Sequence, residues 1–376
     1  MDVKIINKIM QKGGFEASIP TPFPPAGIFD LPQSLLIKST KADRLVGKLD
    51  GITQTLPDIG FFLKMYVTKD ATSSAQIEGT KASIIEAIEM DAKIEGKDTD
   101  AEDILYYIKA LNYGIKRSES FPFSLRFIKE IHSTLMTGAR SSHYSDPGEF
   151  RRSQNWIGGT KPSEASYVPP PTNEMKSALD DLEKFLYDEN STVPLIYVAL
   201  IHAQFETIHP FLDGNGRTGR LLITLLLYKR ELLEHPVLFL SSYFKRHQKV
   251  YYSKLDRYHN GNVEEWLNFF LDGVIDTANE SILISKKIRR IRDEDTDKLI
   301  SLAKRESVSG IGVLKRLYTT PIVTTKTIME WTGFSRSGAQ RLIDRFENLE
   351  ILELSKEKSE YDRKYRYKRY LEAFID

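Results

Sequence analysis

His209-Pro210-Phe211-Leu212-Asp213-Gly214-Asn215-Gly216-Arg217-Thr218-Gly219-Arg220 is the stretch on which the reading of this chain turns. Gly214, Asn215 and Gly216 form a turn with almost no side-chain obstruction, directly ahead of the apolar run Leu221 to Tyr228. Exposed backbone N–H groups at a helix start bind anions, and glycine lets a phosphate approach the backbone closely. Arg217 and Arg220 lie three apart and so share one face of the helix that follows, each with a forked guanidinium suited to a polyphosphate. Asp213 supplies a hard oxygen beside that anion site, as Mg²⁺ on phosphates requires. His209, at the end of the preceding helical run, is suited to general-base work near neutral pH. Each element alone has a plain structural explanation: a His-Pro bend, a glycine turn, two solvated arginines. Base, acid, glycine turn and two arginines within twelve residues outweigh them together. His202 and His209 are two helical turns apart, roughly 10 Å, which is too far for a shared metal.

Outward from this motif the chain is mostly helical by pattern. Residues 15–30 are rich in Pro and Phe and read as an extended arm wrapping the body. From Pro32 to about Lys116 apolar residues recur three and four apart. Gly79 interrupts them, and Thr80 or Ser83 can cap the next helix. Phe127, Ile128, Ile131 and Leu135 mark another helix. Trp156-Ile157-Gly158-Gly159 and Tyr167-Val168-Pro169-Pro170-Pro171 look like the two arms of a hairpin or flap. Helices are expected over 195–208, from about 216 to 231 and from 264 to about 292, with a linker near 290–310 where charge is dense.

The last 75 residues change character. Thr324 to Trp331, the turn at Gly333, Ser335 to Leu349, and the strand-like pieces at 351–354 and 365–367 follow the order of a winged helix-turn-helix. Arg336, Gln340 and Arg341 stand where a recognition helix would face a major groove. Arg363, Lys364, Arg366, Lys368 and Arg369 crowd the wing, a basic patch that fits either DNA phosphates or a solvated or protein-contacting surface.

Composition narrows the classes. The chain has 376 residues, 41% hydrophobic and 28% charged, with a formal net charge of +1. No global field draws it to nucleic acid or membrane. It has no cysteine, which excludes disulfides, thiolate metal sites and cysteine nucleophiles and suits a cytoplasmic location. No apolar run approaches the ~18–20 residues of a membrane span.

Residues 209–220 resemble the signature of Fic domain proteins, His-x-Phe-x-Asp/Glu-Gly-Asn-Gly-Arg-x-x-Arg, at every defined position. The resemblance continues through 202–208 and the flap and covers roughly residues 120–275. It implies a mainly α fold, a Fic-type helical core at 117–290 with a short β-hairpin flap. Before it lies an N-terminal arm and helical region at 1–116, and after it a small winged-helix-like domain at 300–376. It implies transfer of AMP from ATP to Ser, Thr or Tyr hydroxyls of proteins, with Mg²⁺ or Mn²⁺ held by Asp213. His209 would deprotonate the hydroxyl. Gly214 to Gly216, Arg217, Thr218, Gly219 and Arg220 would form the ATP site, and Trp156 to Gly159 would hold the target by strand addition. Tyr251 and Tyr252 resemble the family's aromatic segment of the adenine pocket; ordinary core packing fits each equally. Ser74 to Gly79 (Ser-Ala-Gln-Ile-Glu-Gly) matches the family's inhibitory pattern, in which Glu78 would pair with Arg220 and keep the γ-phosphate from its seat. Homodimers are common among Fic cores. Open alternatives are a DNA-binding regulator with a nucleotide-sensing core, another transferred phosphate-containing group, and removal of AMP.

Overall fold

The computed structural model describes residues 3–54, 59–92, 99–138, 146–188, 192–302, 304–355 and 363–375. Its elements run in the order β1 (Ile6–Met10), β2 (Glu16–Pro20), α1 (Gln33–Gln54), α2 (Ile59–Ile77), α3 (Ile84–Asp91), α4 (Thr99–Ser118), α5 (Leu125–Met136), α6 (Thr172–Tyr187), α7 (Pro194–Ile208), α8 (Asn215–Lys229), α9 (Ser241–Arg246), α10 (Gln248–His259), α11 (Val263–Ile300), α12 (Lys304–Leu317), β3 (Ile322–Thr324), α13 (Thr325–Thr332), α14 (Arg336–Asn348), β4 (Glu353–Leu354), β5 (Lys364–Arg366) and α15 (Lys368–Leu371). The fold is mainly helical, as the spacing of apolar residues predicts.

Two helices form the centre. In α7 every residue from Leu195 to Ile208 is buried, and α8 is buried from Arg217 to Leu227. A helix without a polar face needs neighbours on all sides. Helices α1, α6, α10 and α11 pack on α7, while α2, α4 and α5 pack on α8. Trp266 of α11 is fully buried and donates its indole N–H to the Ala199 carbonyl at 2.9 Å, tying α11 to α7.

Three expectations change on folding. The arm expected at 15–30 begins as the second strand of a hairpin: β2 pairs with β1 from Ile6↔Pro20 to Met10↔Glu16. The prolines begin only at Pro20, so the strand finishes where they start. The linker expected at 290–310 is helix as far as Ile300, since α11 runs unbroken for 38 residues, roughly 57 Å at 1.5 Å per residue. Ile288, Ile291 and Leu299 are buried, so an apolar seam continues beneath the dense charge. The flap reduces to a single antiparallel bridge, Ile157↔Tyr167, closed by a one-turn 3₁₀ helix at Pro162–Glu164. Gly158 and Gly159 are both in the left-handed region, which stops a regular strand after one pair. The Ser18 N–H donates to the Val168 carbonyl, so the N-terminal hairpin continues the flap.

In the C-terminal module three short strands form an antiparallel sheet in the order β3-β5-β4, carried by α13 and α14. Thr324 caps α13 and Ser335 caps α14, each with its hydroxyl oxygen accepting a backbone N–H. Gly333 makes the turn between them with φ 70°. Tyr365, Tyr367 and Tyr370 are fully buried and so belong to the module's core.

Candidate active site

The chain leaves α7 at His209, whose backbone is left-handed (φ 50°, ψ 60°), and turns through Pro210 to Gly214 into α8. Several polar contacts fix this unusual cap. Arg151, itself buried, donates Nε–H to the His209 carbonyl at 3.0 Å and further N–H groups to the carbonyls of Ser153 and Pro170. Asn155 donates to the carbonyls of His209 and Phe211. Asn215 spends its amide inside the loop, accepting from Phe211 N–H and donating to Phe211 C=O, both at 2.8 Å. Phe211 stacks on His132 with ring centres 3.6 Å apart. The His132 Nδ1 accepts from Gly148 N–H, so its Nε2–H donates to the Asp213 carbonyl. The turn is thus rigid before any ligand arrives.

A cavity of about 890 Å³ opens at the start of α8. Gly216, Arg220, Glu78, Glu206 and His209 stand on its inner wall, the flap residues Trp156 to Gly158 with Ser166 and Tyr167 on another, and Tyr251, Tyr252 and Asp256 on a third. Glu78 sits at the mouth of the helix-start turn. A Cβ on Gly216 would lie 2.3 Å from Glu78 Oε1. Glu78 Oε1 accepts from Arg220 Nη2–H at 2.7 Å, while Ser74 takes Nε–H on its hydroxyl (2.9 Å) and Nη2–H on its carbonyl (3.0 Å). Burial works against the Arg220 charge, but the Glu78 carboxylate outweighs it and the guanidinium stays charged. The ends of α2 and α8 are joined by a carboxylate in the position an anion would take.

The other sequence-marked residues divide. Arg217 does not line the cavity: it is buried between Asp103 (4.0 Å) and Asp213 (3.6 Å). Thr218 and Gly219 face the interior, and a Cβ on Gly219 would meet Glu206 at 2.4 Å. Gly214 is left-handed (φ 78°), and a Cβ there would meet Met136 Sδ at 2.6 Å. Tyr251 and Tyr252 separate. Tyr251 is 1% exposed, stacks on Phe244 and donates its hydroxyl hydrogen to His202 Nε2; Tyr252 is 47% exposed on the cavity wall. Asp213 is half exposed, and its Oδ1 accepts from Gly214 N–H. Among the described residues no group of three or more His, Asp or Glu side chains is arranged to hold a metal. A single carboxylate suffices only for a cation that phosphates already ligate.

Glu206 was not singled out by the motif, although it precedes His209 by three residues on the same helix face. It is 8% exposed, and burial pushes its carboxyl up to about 8. Burial pulls the His209 imidazole down to about 4, so the ring is neutral at pH 7. Arg151 and Asn155 were also unmarked in role, because the carbonyls of His209 and Phe211 that they hold lie 54 to 58 residues away in sequence.

Comparison with known proteins covers both halves of this arrangement. Residues 122–227 match the Fic/DOC family, and residues 36–116 match the Fic/DOC family N-terminal region. Curated relatives include the protein adenylyltransferases Fic of Aedes aegypti (29% identical over 211 residues) and Drosophila grimshawi (31% over 209 residues). In each case 53% of this chain is aligned, and it spans only 38% and 39% of the relative's length. Solved structures with a similar fold include a Fic family protein from Desulfovibrio desulfuricans, with TM-score 0.58 and 16% identity over 90% of this chain and 96% of that one. A Fic domain containing signaling protein from Bacteroides thetaiotaomicron aligns over 68% and 97%, with TM-score 0.54 and 18% identity.

Proposed function

We propose, from the match of residues 122–227 to the Fic/DOC family and of residues 36–116 to its N-terminal region, that the chain transfers AMP from ATP to Ser, Thr or Tyr hydroxyls of proteins and is held back by Glu78. The observation that carries this reading is the Glu78 carboxylate lodged on Gly216 and Arg220 at an open 890 Å³ cavity, with neutral His209 on the same wall. The triphosphate would lie along the start of α8, its outer phosphates toward Arg220 and the Gly216 backbone. Tyr252, exposed on the cavity wall, is the aromatic available to the base; Tyr251 supports it from within. His209 takes the proton of the target hydroxyl, whose oxygen then attacks the α-phosphorus as pyrophosphate leaves. The open edge of the flap at Trp156 and Ile157, 39% and 38% exposed, would present the target segment.

The residues present fit Mg²⁺ or Mn²⁺. Asp213 would hold a cation that the phosphates themselves ligate, and the cation would neutralise charge on the phosphates. Arg217 keeps Asp213 aimed at the turn. With Glu78 on Arg220, the γ-phosphate has no free guanidinium, and ATP is bound in a pose unsuited to in-line attack. Incubation with labelled ATP and Mg²⁺ tests the reading by mass spectrometry. Covalent addition of one AMP to this chain or to a target is the expected result. Asp213→Ala should lose most activity together with its metal dependence. Reversible binding alone, under conditions where Glu78→Gly is also inert, would overturn the proposal.

A further inference from the structure

Two buried polar atoms in the cavity have no hydrogen-bond partner: Nδ1 of His209 and Oε1 of Glu206. They belong to the last turn of α7 and to its left-handed cap, three residues apart, and Oε2 of Glu206 is 3.8 Å from His209 Nδ1. Glu206 lines the cavity and is more than nine-tenths buried. A buried carboxyl oxygen left without a partner is costly, and an imidazole nitrogen behaves likewise. Oε1 faces Gly219, whereas Oε2 is the oxygen turned toward the ring; a shift of about an ångström would bring it within hydrogen-bond distance of Nδ1, which lies beside the Glu206 backbone carbonyl as well.

We propose that Glu206 is the positioning residue of His209: its carboxylate accepts the Nδ1–H, fixes the imidazole in the tautomer whose Nε2 is free, and stabilises the imidazolium formed when Nε2 takes the target's proton. This rests on His209 being the base. The proton balance is closed. The hydroxyl proton moves to Nε2 as its oxygen bonds to the α-phosphorus, and the bond to the departing pyrophosphate breaks with its electron pair. The resulting positive ring then faces the Glu206 carboxylate. Gly219 is necessary to this arrangement, since any side chain there would displace Glu206.

The pairing also has a direction in pH. When Glu206 is protonated it donates to Nδ1, which leaves the hydrogen on Nε2 and the ring unable to act as a base. The active form therefore needs the ionised carboxylate. Burial raises the proton affinity of Glu206 toward about 8, Arg220 opposes this, and Glu78 reinforces it. His209 is faced in turn by Glu78 from α2, Arg151 from the flap segment, Asp213 from the turn, and Asp256 and His259 from α10. The pair titrates as a unit, so the rate should climb with pH up to a plateau set by that unit.

The test uses the full chain in the Glu78→Gly background, comparing Glu206→Gln, Glu206→Asp and His209→Ala. Glu206→Gln should lower kcat on the order of 10²-fold. Its KM for ATP should stay within about threefold, and the ascending pH limb should vanish. Glu206→Asp should restore part of the rate and the limb. ¹⁵N spectra of histidine-labelled protein at high pH should report Nδ1–H at His209 with Glu206 present and Nε2–H in Glu206→Gln. That last readout needs no activity. If His209→Ala abolishes transfer while Glu206→Gln keeps its rate, pH limb and tautomer, the proposal fails and the base assignment stands. If His209→Ala remains active, the base assignment itself fails. A kcat loss in Glu206→Gln with an unchanged pH limb and tautomer overturns the proposal in favour of simple packing.

Discussion

Two parts of the molecule present basic side chains that read alike in sequence: Arg217 and Arg220 after the glycine turn, and Lys364, Arg366, Lys368 and Arg369 in the C-terminal module. In the structure nearly all of them are already paired. Arg220 is held by Glu78, while Lys364 and Arg366 both reach Glu89 of α3 at 3.2 Å. Arg369 binds Asp295 and Glu294, and Lys368 binds Glu353. The difference lies in the carboxylates. Glu78 is about one-third exposed in a large cavity, against a helix start that can receive a phosphate in its place. Glu89 is 2% exposed and accepts from Lys364 and Arg366, and Asp295 is fully buried and accepts from Arg369 and the Tyr367 hydroxyl, so both lock the C-terminal module to the rest of the chain. A charge cluster becomes a binding site when its internal counter-ion is replaceable; otherwise it is a joint.

The largest expected effect breaks the comparison at its functional end. His209→Ala should reduce AMP transfer by ~10²–10⁴ while ATP binding, followed by calorimetry, persists. Transfer near the wild-type rate would remove the chemistry from this site and leave two joints.

Next comes the joint itself. Glu89→Ala removes a buried carboxylate shared by buried Lys364 and partly buried Arg366, and breaking such a pair costs about 3 kcal/mol or more. Urea unfolding should show that loss, with ATP affinity unchanged in the surviving fold. Wild-type stability in the variant would mean that Glu89 is as dispensable as a surface partner.

Smaller in energy, but opposite in sign for function, is Glu78→Gly. Freed from its carboxylate, Arg220 can seat the γ-phosphate, and self-modification should rise on the order of tenfold or more. Adding Arg220→Ala should cancel most of the gain. An unchanged rate in Glu78→Gly would make this pair a joint as well, and the contrast would disappear.

The smallest effect concerns exposed Arg336 and Arg341 on α14. Weak duplex binding at low salt, lost by roughly tenfold in Arg336→Ala/Arg341→Ala, is the expected anisotropy result. Binding that instead falls with Lys364→Ala, without loss of stability, would show that the paired wing residues open to a ligand.

Residues 209–220 alone determined that this chain holds a glycine turn at a helix start with a histidine beside it, because glycine, arginine and imidazole sit within a few residues whose backbone spacing is fixed by the helix. Helix periodicity likewise determined α7 and α8, and of the two caps the sequence offered, Thr80 and Ser83, the structure uses Ser83; Thr324 and Ser335, read as the first residues of their helices, are the caps of α13 and α14. The β1–β2 hairpin, the unbroken α11 and the burial of Tyr251 were decided by tertiary packing, since each depends on a surface supplied from elsewhere in the chain. The same holds for the division of labour inside the motif. Spacing placed Arg217 and Arg220 on one face, and the Ser74–Gly79 pattern already paired Arg220 with Glu78, but only the approach of Asp103 from α4 drew Arg217 away from the cavity. Which arginine faces the cavity is a question of distance between segments more than a hundred residues apart, and the spacing of residues 209–220 does not encode that distance.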